Sequence, residues 1–413
     1  MSRRRVVITG LGAICGLGND VAAVWAAAKA GRSSARLLTR IDQADLGSRI
    51  ACEVRDFDAE KLVGHQAKKL DLFCQYGVVA AEEAVRGSGL DLAREDLDRC
   101  GVITGSGIGG LSELESQHTV LMERGARRVS PFFIPRLMIN ALSGNISIRH
   151  GFRGPSYITA SACASSSHAI GLAFRTIRDG ECDVCLTGGA EATVTRIAMA
   201  GFSNMKAMST RNEDPERASR PFDRDRDGFV MGEGAGMLVF EELQRAKARG
   251  AKIYAEVKGF GMTADAHHIT APTPGGEGPA NAMRLALRDG NVDPERVNYI
   301  NAHGTSTPLN DAAETRAIRT VFGAHADRLC VSSTKSMAGH LLGASGGLEA
   351  VLCALMAHES VVHPTINYEN RDPECDLDYV PNEARSLKVD HVLSNSLGFG
   401  GHNVSVLLAR FDG

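Results

Sequence analysis

The chain of 413 residues predicts an α/β fold, and three observations carry that reading. Short β-branched runs, such as Cys100-Gly101-Val102-Ile103-Thr104, Asp183-Val184-Cys185-Leu186-Thr187 and Val297-Asn298-Tyr299-Ile300, alternate with longer stretches rich in alanine and leucine. That alternation marks strands separated by helices. It starts afresh near Lys252-Ile253-Tyr254-Ala255-Glu256-Val257, after a basic, helix-like stretch at 241–250. Each half also holds a strand, a small-residue loop and a helix in succession, at 159–178 and at 331–358. A chain of this length exceeds the usual single core, so two fused halves are expected, 1–250 and 251–413.

The opening run Val6-Val7-Ile8-Thr9-Gly10 reads as the first strand. Ser2-Arg3-Arg4-Arg5 before it imitates a signal peptide, but Gly10, Gly12, Gly16 and Gly18 break the apolar part, and a strand followed by a turn explains it. Composition adds bounds: 43% apolar and 23% charged residues with a net charge of -3 give no basic excess for nucleic acid. No stretch approaches the ~20 apolar residues of a spanning helix, so no membrane span and a cytoplasmic location are expected. Ten cysteines scattered through apolar segments suit reduced thiols better than a disulfide framework. The loop Thr270-Ala271-Pro272-Thr273-Pro274-Gly275-Gly276-Glu277-Gly278 opposes any regular element and reads as an excursion near a site mouth.

Several motifs are weaker than they look. Gly105-Ser106-Gly107-Ile108-Gly109-Gly110 follows a strand and matches G-x-G-x-x-G, yet the acidic residue that should end a second strand is missing, since Glu123 sits in a helix or loop. Asp223, Asp225, Asp227 and Gly228 copy half of a calcium loop, but position twelve holds Gly234. Cys182 and Cys185 have C-x-x-C spacing in a strand-like run, where they should face opposite sides, and no second pair completes a zinc set. His267-His268 lacks a ligand-spaced partner and reads as shaping the loop beside Thr270. Ser332-Ser333-Thr334-Lys335 matches S-x-x-K without the companion motifs of serine acyl-enzymes.

What remains is one thiol, two imidazoles and one ammonium: Cys163, His303, His340 and Lys335. Cys163 follows the strand-like Pro155-Ser156-Tyr157-Ile158-Thr159 and precedes Ala169-Ile170-Gly171-Leu172-Ala173-Phe174, whose spacing suits a helix. A cysteine at a helix N-terminus sits in positive potential, which predicts a pKa lowered from ~8.5 towards or below neutrality. Such a set can do acyl chemistry without a metal, and an organising role suits Lys335 better than a covalent one.

With the segments Asn301-Ala302-His303-Gly304-Thr305-Ser306-Thr307-Pro308, Ala218-Ser219-Arg220-Pro221-Phe222-Asp223, Asp227-Gly228-Phe229-Val230 and Asn395-Ser396-Leu397-Gly398-Phe399-Gly400-Gly401-His402-Asn403, the chain resembles, over its whole length, the elongating β-ketoacyl-[acyl-carrier-protein] synthases of the Cys-His-His type in the thiolase superfamily. Leu397 stands where that family often has Phe, and His402 where it often has Thr. The resemblance implies a five-layered α-β-α-β-α sandwich of two similar halves, with the active site between them. It implies decarboxylative condensation of malonyl-[acyl-carrier-protein] with an acyl chain on Cys163, and no cofactor beyond the phosphopantetheine of the acyl carrier protein. It places the oxyanion hole on the amides of Cys163 and Phe399, with Phe399 also a gate. Two neutral histidine donors, His303 and His340, would stabilise the enolate, and Lys335 would hold His340. Asp311 and Glu349 match the acidic network, while Thr305, Thr307 and Thr270 match phosphopantetheine contacts. Ile108, Phe133, Ile134 and Phe202 are the acyl-pocket candidates, and Lys68, Lys69 and Lys206 the carrier-docking candidates. A homodimer is also implied.

Relatives set the alternatives. A thiolase needs a second catalytic cysteine, and a chalcone-synthase-like enzyme needs Asn where His340 stands. A papain-like Cys-His hydrolase needs a local cysteine signature that is absent. A noncatalytic chain-length partner should lack the cysteine. A type II polyketide ketosynthase uses the same chemistry and is the strongest alternative.

Overall fold

A computed structural model describes residues 3–413. Its strands are β1 (Val6–Cys15), β2 (Cys100–Gly105), β3 (Ser156–Thr159), β4 (Val184–Glu191), β5 (Gly234–Glu242), β6 (Ala255–Ala264), β7 (Tyr299–Asn301), β8 (Cys330–Ser332), β9 (His391–Gly398) and β10 (His402–Ala409). The helices that build the site or its surroundings are α1 (Leu72–Ser88), α2 (Leu111–Arg124), α3 (Phe133–Leu137), α4 (Ala141–His150), α5 (Ser165–Arg178), α6 (Arg196–Asn204), α7 (Glu277–Gly290), α8 (Pro308–Phe322), α9 (Lys335–Ala338) and α10 (Ser345–Glu359). Short antiparallel and parallel pairings elsewhere make two small accessory sheets.

Across the main sheet the order is β8-β7-β9-β10-β6-β1-β5-β4-β2-β3. β1 and β6 pair only through Val6, Val7 and Ile8, so this is two five-stranded sheets joined at a short seam. Counted within its own half, each five runs 3-2-4-5-1. In each, the second strand pairs in parallel with the third and fourth, and the remaining pairings are antiparallel. The internal repeat that was faint in sequence is complete in topology.

Layering follows from the helices. α1 packs on β1, β4 and β5, and α7 on β6, β9 and β10, while α5 and α10 touch strands of both halves. The result is the expected α-β-α-β-α sandwich. α10 is buried along nearly its whole length and carries a single inner acid, Glu349, as suits a helix enclosed on every side. α5 buries Ala169, Ile170, Ala173, Phe174 and Ile177, a helical stripe. Its Gly171 is needed for close approach: a Cβ there would lie 2.1 Å from ring atoms of Phe260 on β6.

Some boundaries shift. β7 begins at Tyr299 rather than Val297, and α7 takes Glu277 and Gly278 out of the expected loop. Cys182 precedes β4, and both it and Cys185 are buried in the same apolar cluster rather than on opposite faces. Because Cys182 lies outside the strand, strand alternation does not apply to it.

Gly171→Leu should force α5 away from β6 and destabilise the protein by about 1–3 kcal/mol or more, read by denaturant unfolding; unchanged stability would show that this layer contact can part freely.

Candidate active site

Cys163 sits on a sharp turn between β3 and α5. Ala162 takes the left-handed conformation at φ +50°, unfavourable for a residue with a β-carbon and held here by its surroundings. Ser165 does the holding: its Oγ accepts the Ser161 N–H at 2.9 Å and donates to the Ala162 carbonyl at 2.6 Å. The sulfur is buried and faces a cavity. The expected thiolate is not what this environment favours. Burial pushes the Cys163 thiol up to about 11, against smaller opposing effects from the Lys335 charge and from the amides of Phe399 and Cys163. The helix terminus was visible in the sequence; the loss of water around the sulfur was not.

The two imidazoles come from the other half. His303 follows β7, and its loop is clamped by Glu314 of α8, whose carboxylate accepts the N–H groups of His303 and Gly304, both at 2.9 Å. His340 lies between α9 and α10 and is pinned through its main chain, its N–H donating to Val230 at 2.7 Å and its carbonyl accepting from Gly232 at 2.9 Å. The two rings meet edge to face with centroids 5.3 Å apart. His340 Nε2 is 3.1 Å from Cys163 Sγ. One ring nitrogen from each histidine and the sulfur lie within 4.8 Å of one another. Sulfur and imidazole nitrogens are also a donor set that fits a thiophilic ion such as zinc.

Both rings are held well below the usual histidine pKa, by burial first and by the Lys335 charge second. They are therefore neutral near pH 7. The Leu342 N–H donates to His340 Nδ1 at 3.2 Å; Nδ1 is then an acceptor, and the proton of the neutral ring resides on Nε2. That N–H points at the sulfur.

Lys335 does not hold His340 directly, as the resemblance had implied. Its Nζ donates to Glu349 at 2.5 Å, and both side chains are buried. The ring of His340 is held instead by the Leu342 amide and by Ser345 Oγ, 2.9 Å from Nδ1. Lys335 is thus paired through Glu349 and acts on the rings by its charge. Asp311 belongs to a separate cluster: it accepts from the Phe222 amide at 2.8 Å and Asn310 at 3.1 Å and lies 3.7 Å from Arg226. It braces the segments around the His303 loop and has no hydrogen bond to the sulfur or either ring.

Two buried acids were missed in the sequence. One is Glu314. The other is Glu191 at the end of β4, which accepts the amides of Gly107, Ile108, Gly109 and Gly343 and the hydroxyl of Ser106. The glycine-rich loop therefore has an anion built into the chain, and its amides are turned to that carboxylate. A strand-end acid beside a loop of free amides was the available signal. Asp223 plays a like part in the calcium-loop imitation, accepting the amides of Asp225, Glu369 and Asn370.

The cavity in front of the sulfur has a volume of about 380 Å³. Phe202, Thr305, Thr307, Thr270, Phe399, Leu397 and Lys206 line it with Cys163 and both histidines. Ile108 is not in the lining; it packs on the apolar cluster that holds Cys163 and Leu342. His268 shapes the 270s loop, its Nδ1 accepting the amides of Thr270 and Ala271 at 3.1 Å. Phe133 and Ile134 do not line the cavity; they sit on α3, where Ile134 is 53% exposed. Lys68 and Lys69 are also away from the lining. Their carbonyls accept from Arg136 of α3, and Lys68 pairs with Glu60.

A buried thiol, two uncharged ring donors and backbone amides aimed at the sulfur, set between the halves of a five-layer sandwich, define a thiol acyltransferase of the condensing type. The comparisons agree. Residues 3–246 match the model of the β-ketoacyl synthase N-terminal domain and residues 254–369 that of the C-terminal domain. The 3-oxoacyl-[acyl-carrier-protein] synthase 2 of Synechocystis sp. is 51% identical over 413 residues, covering 100% of this chain and 99% of its own. A β-ketoacyl synthase structure from Burkholderia phymatum superposes with a TM-score of 0.92 at 38% identity, covering 99% of this chain and 100% of that one. A type II polyketide ketosynthase, solved in complex with its acyl-carrier protein and bound to a hexaketide, gives 0.91 at 31% identity with 100% of both chains covered. The chain belongs to the β-ketoacyl synthase family.

Lys335→Met should raise the pKa of both histidines, so the acid limb of the pH–rate profile moves upward, and should slow alkylation of Cys163 at fixed pH. It also strands Glu349 and should lower stability by about 3 kcal/mol or more, measured by denaturant unfolding; an unmoved acid limb would remove the electrostatic role.

Proposed function

We propose that the protein extends an acyl chain by two carbons, taking it as a thioester of an acyl carrier protein onto Cys163 and condensing it with malonyl-[acyl-carrier-protein] to give 3-oxoacyl-[acyl-carrier-protein]. The observation that carries this is the Leu342 amide donating to His340 Nδ1, which leaves the proton of the neutral ring on Nε2, the nitrogen 3.1 Å from the sulfur. A hydrolase would need that nitrogen to accept the thiol proton. A condensing enzyme needs it to donate.

In the first half-reaction Sγ attacks the thioester carbon, the bond to the carrier sulfur breaks, and the thiol proton leaves with the carrier thiol. The amides of Cys163 and Phe399, which already favour negative charge at the sulfur, suit the oxyanion. In the second, the malonyl carbon–carboxyl bond breaks, carbon dioxide departs, and its electron pair forms an enolate. The thioester oxygen of that enolate accepts from the N–H groups of His303 and His340. The carbon then attacks the acyl carbonyl, the bond to the cysteine sulfur breaks, and the thiolate released takes a proton from solvent. No cofactor of the protein's own enters either step. Thr305 and Thr307, with hydroxyls 2.9 Å apart at the cavity wall, and Thr270 suit the amides of a phosphopantetheine arm. Fatty-acid elongation is the favoured setting, given the match to the 3-oxoacyl synthase relative; polyketide extension uses the same atoms.

The carrier docks at the mouth beside Lys206, Met205 and Leu309. A homodimer would use a different surface: β3 is an edge strand, and unprotected edges invite pairing. Next to it Ile148 of α4 is 82% exposed and Ile134 of α3 is also bare. A second copy laid along β3 would cover these residues, and this is where Phe133 and Ile134 gain a role, as walls offered to the partner's acyl pocket. Ten free, buried cysteines suit a reducing cytoplasm, and no helix among the described residues is long and apolar enough to cross a membrane.

Cys163→Ala should abolish extension of acyl carriers of graded length. His303→Ala or His340→Ala should slow malonyl decarboxylation by about two to three orders of magnitude while acylation of Cys163 survives better, measured with radiolabelled malonyl and acyl carriers separately. Extension by Cys163→Ala would overturn the proposal. Ile134→Asp should shift sedimentation towards monomer and reduce turnover of long chains first; an unaltered dimer would put the interface elsewhere.

A further inference from the structure

Three hydrogen bonds lead from the apolar cluster behind the nucleophile to the ring of His340, and two of them end on one buried carboxylate. Ile108, packed on the apolar cluster that includes Cys163 and Leu342, donates its amide to Glu191 Oε1 at 3.1 Å. Glu191 Oε2 accepts the Gly343 amide at 3.0 Å. The next residue back, Leu342, donates its amide to His340 Nδ1 at 3.2 Å. We propose that Glu191 is a positioning residue for condensation, tying the loop whose Ile108 backs the cluster of Cys163 and the cavity-lining Leu342 to the segment that fixes the His340 tautomer, so that chain occupancy and the oxyanion donor are mechanically linked.

The arrangement is demanding. Oε1 takes Ser106 Oγ at 3.0 Å, the Ile108 amide and the Gly109 amide at 3.1 Å, while Oε2 takes the Gly107 amide at 2.6 Å and that of Gly343. Five donors and no acceptor face it, which suits an ionised carboxylate, acceptor-only with about four lone-pair sites, and leaves no place for a side-chain donor. The two loops are in van der Waals reach of each other: a Cβ on Gly343 would lie 2.2 Å from the Gly107 nitrogen. Leu342 itself is held at φ +48°, a left-handed conformation that persists only where surroundings impose it. Its side chain lines the acyl cavity and shares the cluster of Ile108 and Cys163. A chain that presses on this cluster therefore presses on both ends of the carboxylate's grip. A purely structural Glu191 would also satisfy those amides, so the test must separate the two half-reactions.

The inference rests on the condensation reading above. In Glu191→Gln the new amide group turns donors towards donors at one end of the cradle. Malonyl decarboxylation should fall at least about tenfold, the scale of one aligned hydrogen bond to a charged group. Acylation of Cys163 should not fall with it, since the lost negative charge had been raising the thiol pKa, and the preferred chain length should shift as Ile108 is freed. Equal loss in both half-reactions with an unchanged chain-length profile would overturn the positioning role, while absence of condensation in the parent protein would instead overturn the function. Should the variant not fold, amide hydrogen exchange on the parent decides. Loading Cys163 with a long acyl chain rather than acetyl should change exchange at 107–109 and at 342–343 together. A change confined to the first loop would end the proposal.

Discussion

Taking two imidazoles out of water beside a single ammonium is the constraint from which the site's chemistry follows. Burial and the Lys335 charge both disfavour protonated rings, so His303 and His340 present N–H groups without becoming cations. The ammonium is in turn tolerable in the interior because Glu349 meets it, a buried pair whose removal by halves is costly. Ser345 and Glu349 stand one turn apart on α10, hence on one face; one touches the His340 ring and the other answers the lysine. One helix in the central layer thus sets both the orientation and the charge state of the donors. The same dryness raises the Cys163 thiol, so the nucleophile rests protonated and its attack depends on the amides that receive charge as it develops.

The repeated topology gives each half an equivalent loop, and each loop is governed by a buried acid. After the second strand of the first half comes the glycine-rich loop clamped by Glu191; after the second strand of the other comes the His303 loop clamped by Glu314. Free amides at the carboxyl ends of parallel strands are a general place to bind anions. Here the chain supplies its own. Burial pushes Glu314 up to about 7 despite the amides it accepts, which shows how little water these clamps retain. Cys163 follows the third strand of one half, and Lys335 and His340 follow the third strand of the other, so corresponding positions were given nucleophile and donors respectively.

The parts of this arrangement that depend on residue identity at short range were legible before any coordinates: the alternating elements, the Cys163 turn, the histidine segments, the threonines of the cavity. What depends on the environment was not. The thiol's pKa is set by enclosure on all sides, which no local pattern encodes. Lys335 was read as the support of His340 from the resemblance, yet its ammonium meets Glu349 of α10 and the ring is left to Ser345 and Leu342. Phe133 and Ile134 have the composition of a pocket wall and occupy a surface, a placement only the packing of α3 reveals. Of the two departures from the family pattern, Leu397 does line the cavity. His402 does not line it and stands edge-on to His168 at 6.2 Å, where its charge repulsion, after burial, holds His168 down to about 4.

Neither half contains the whole site, so its precision depends on how the halves are fixed to each other. The seam between β1 and β6 is too short to do this, with only three residue pairs. The serine run that follows the nucleophile supplies the answer. Ser165 locks the Cys163 turn within the first half. Ser166 accepts the Gly347 amide of α10 at 2.9 Å, and Ser167 meets Ser396 of β9 at 2.6 Å. Successive residues of α5 thus hold the sulfur in place and tie its helix to the elements that bear the Phe399 amide and the supports of His340. Hydroxyls suit this task where larger apolar groups would not: at Gly346 a Cβ would already lie 1.9 Å from Ser167 Oγ. Close packing of small residues, with the hydroxyls of Ser165, Ser166 and Ser167 all paired, lets a strand and a helix of one half approach the nucleophile of the other within hydrogen-bonding distance.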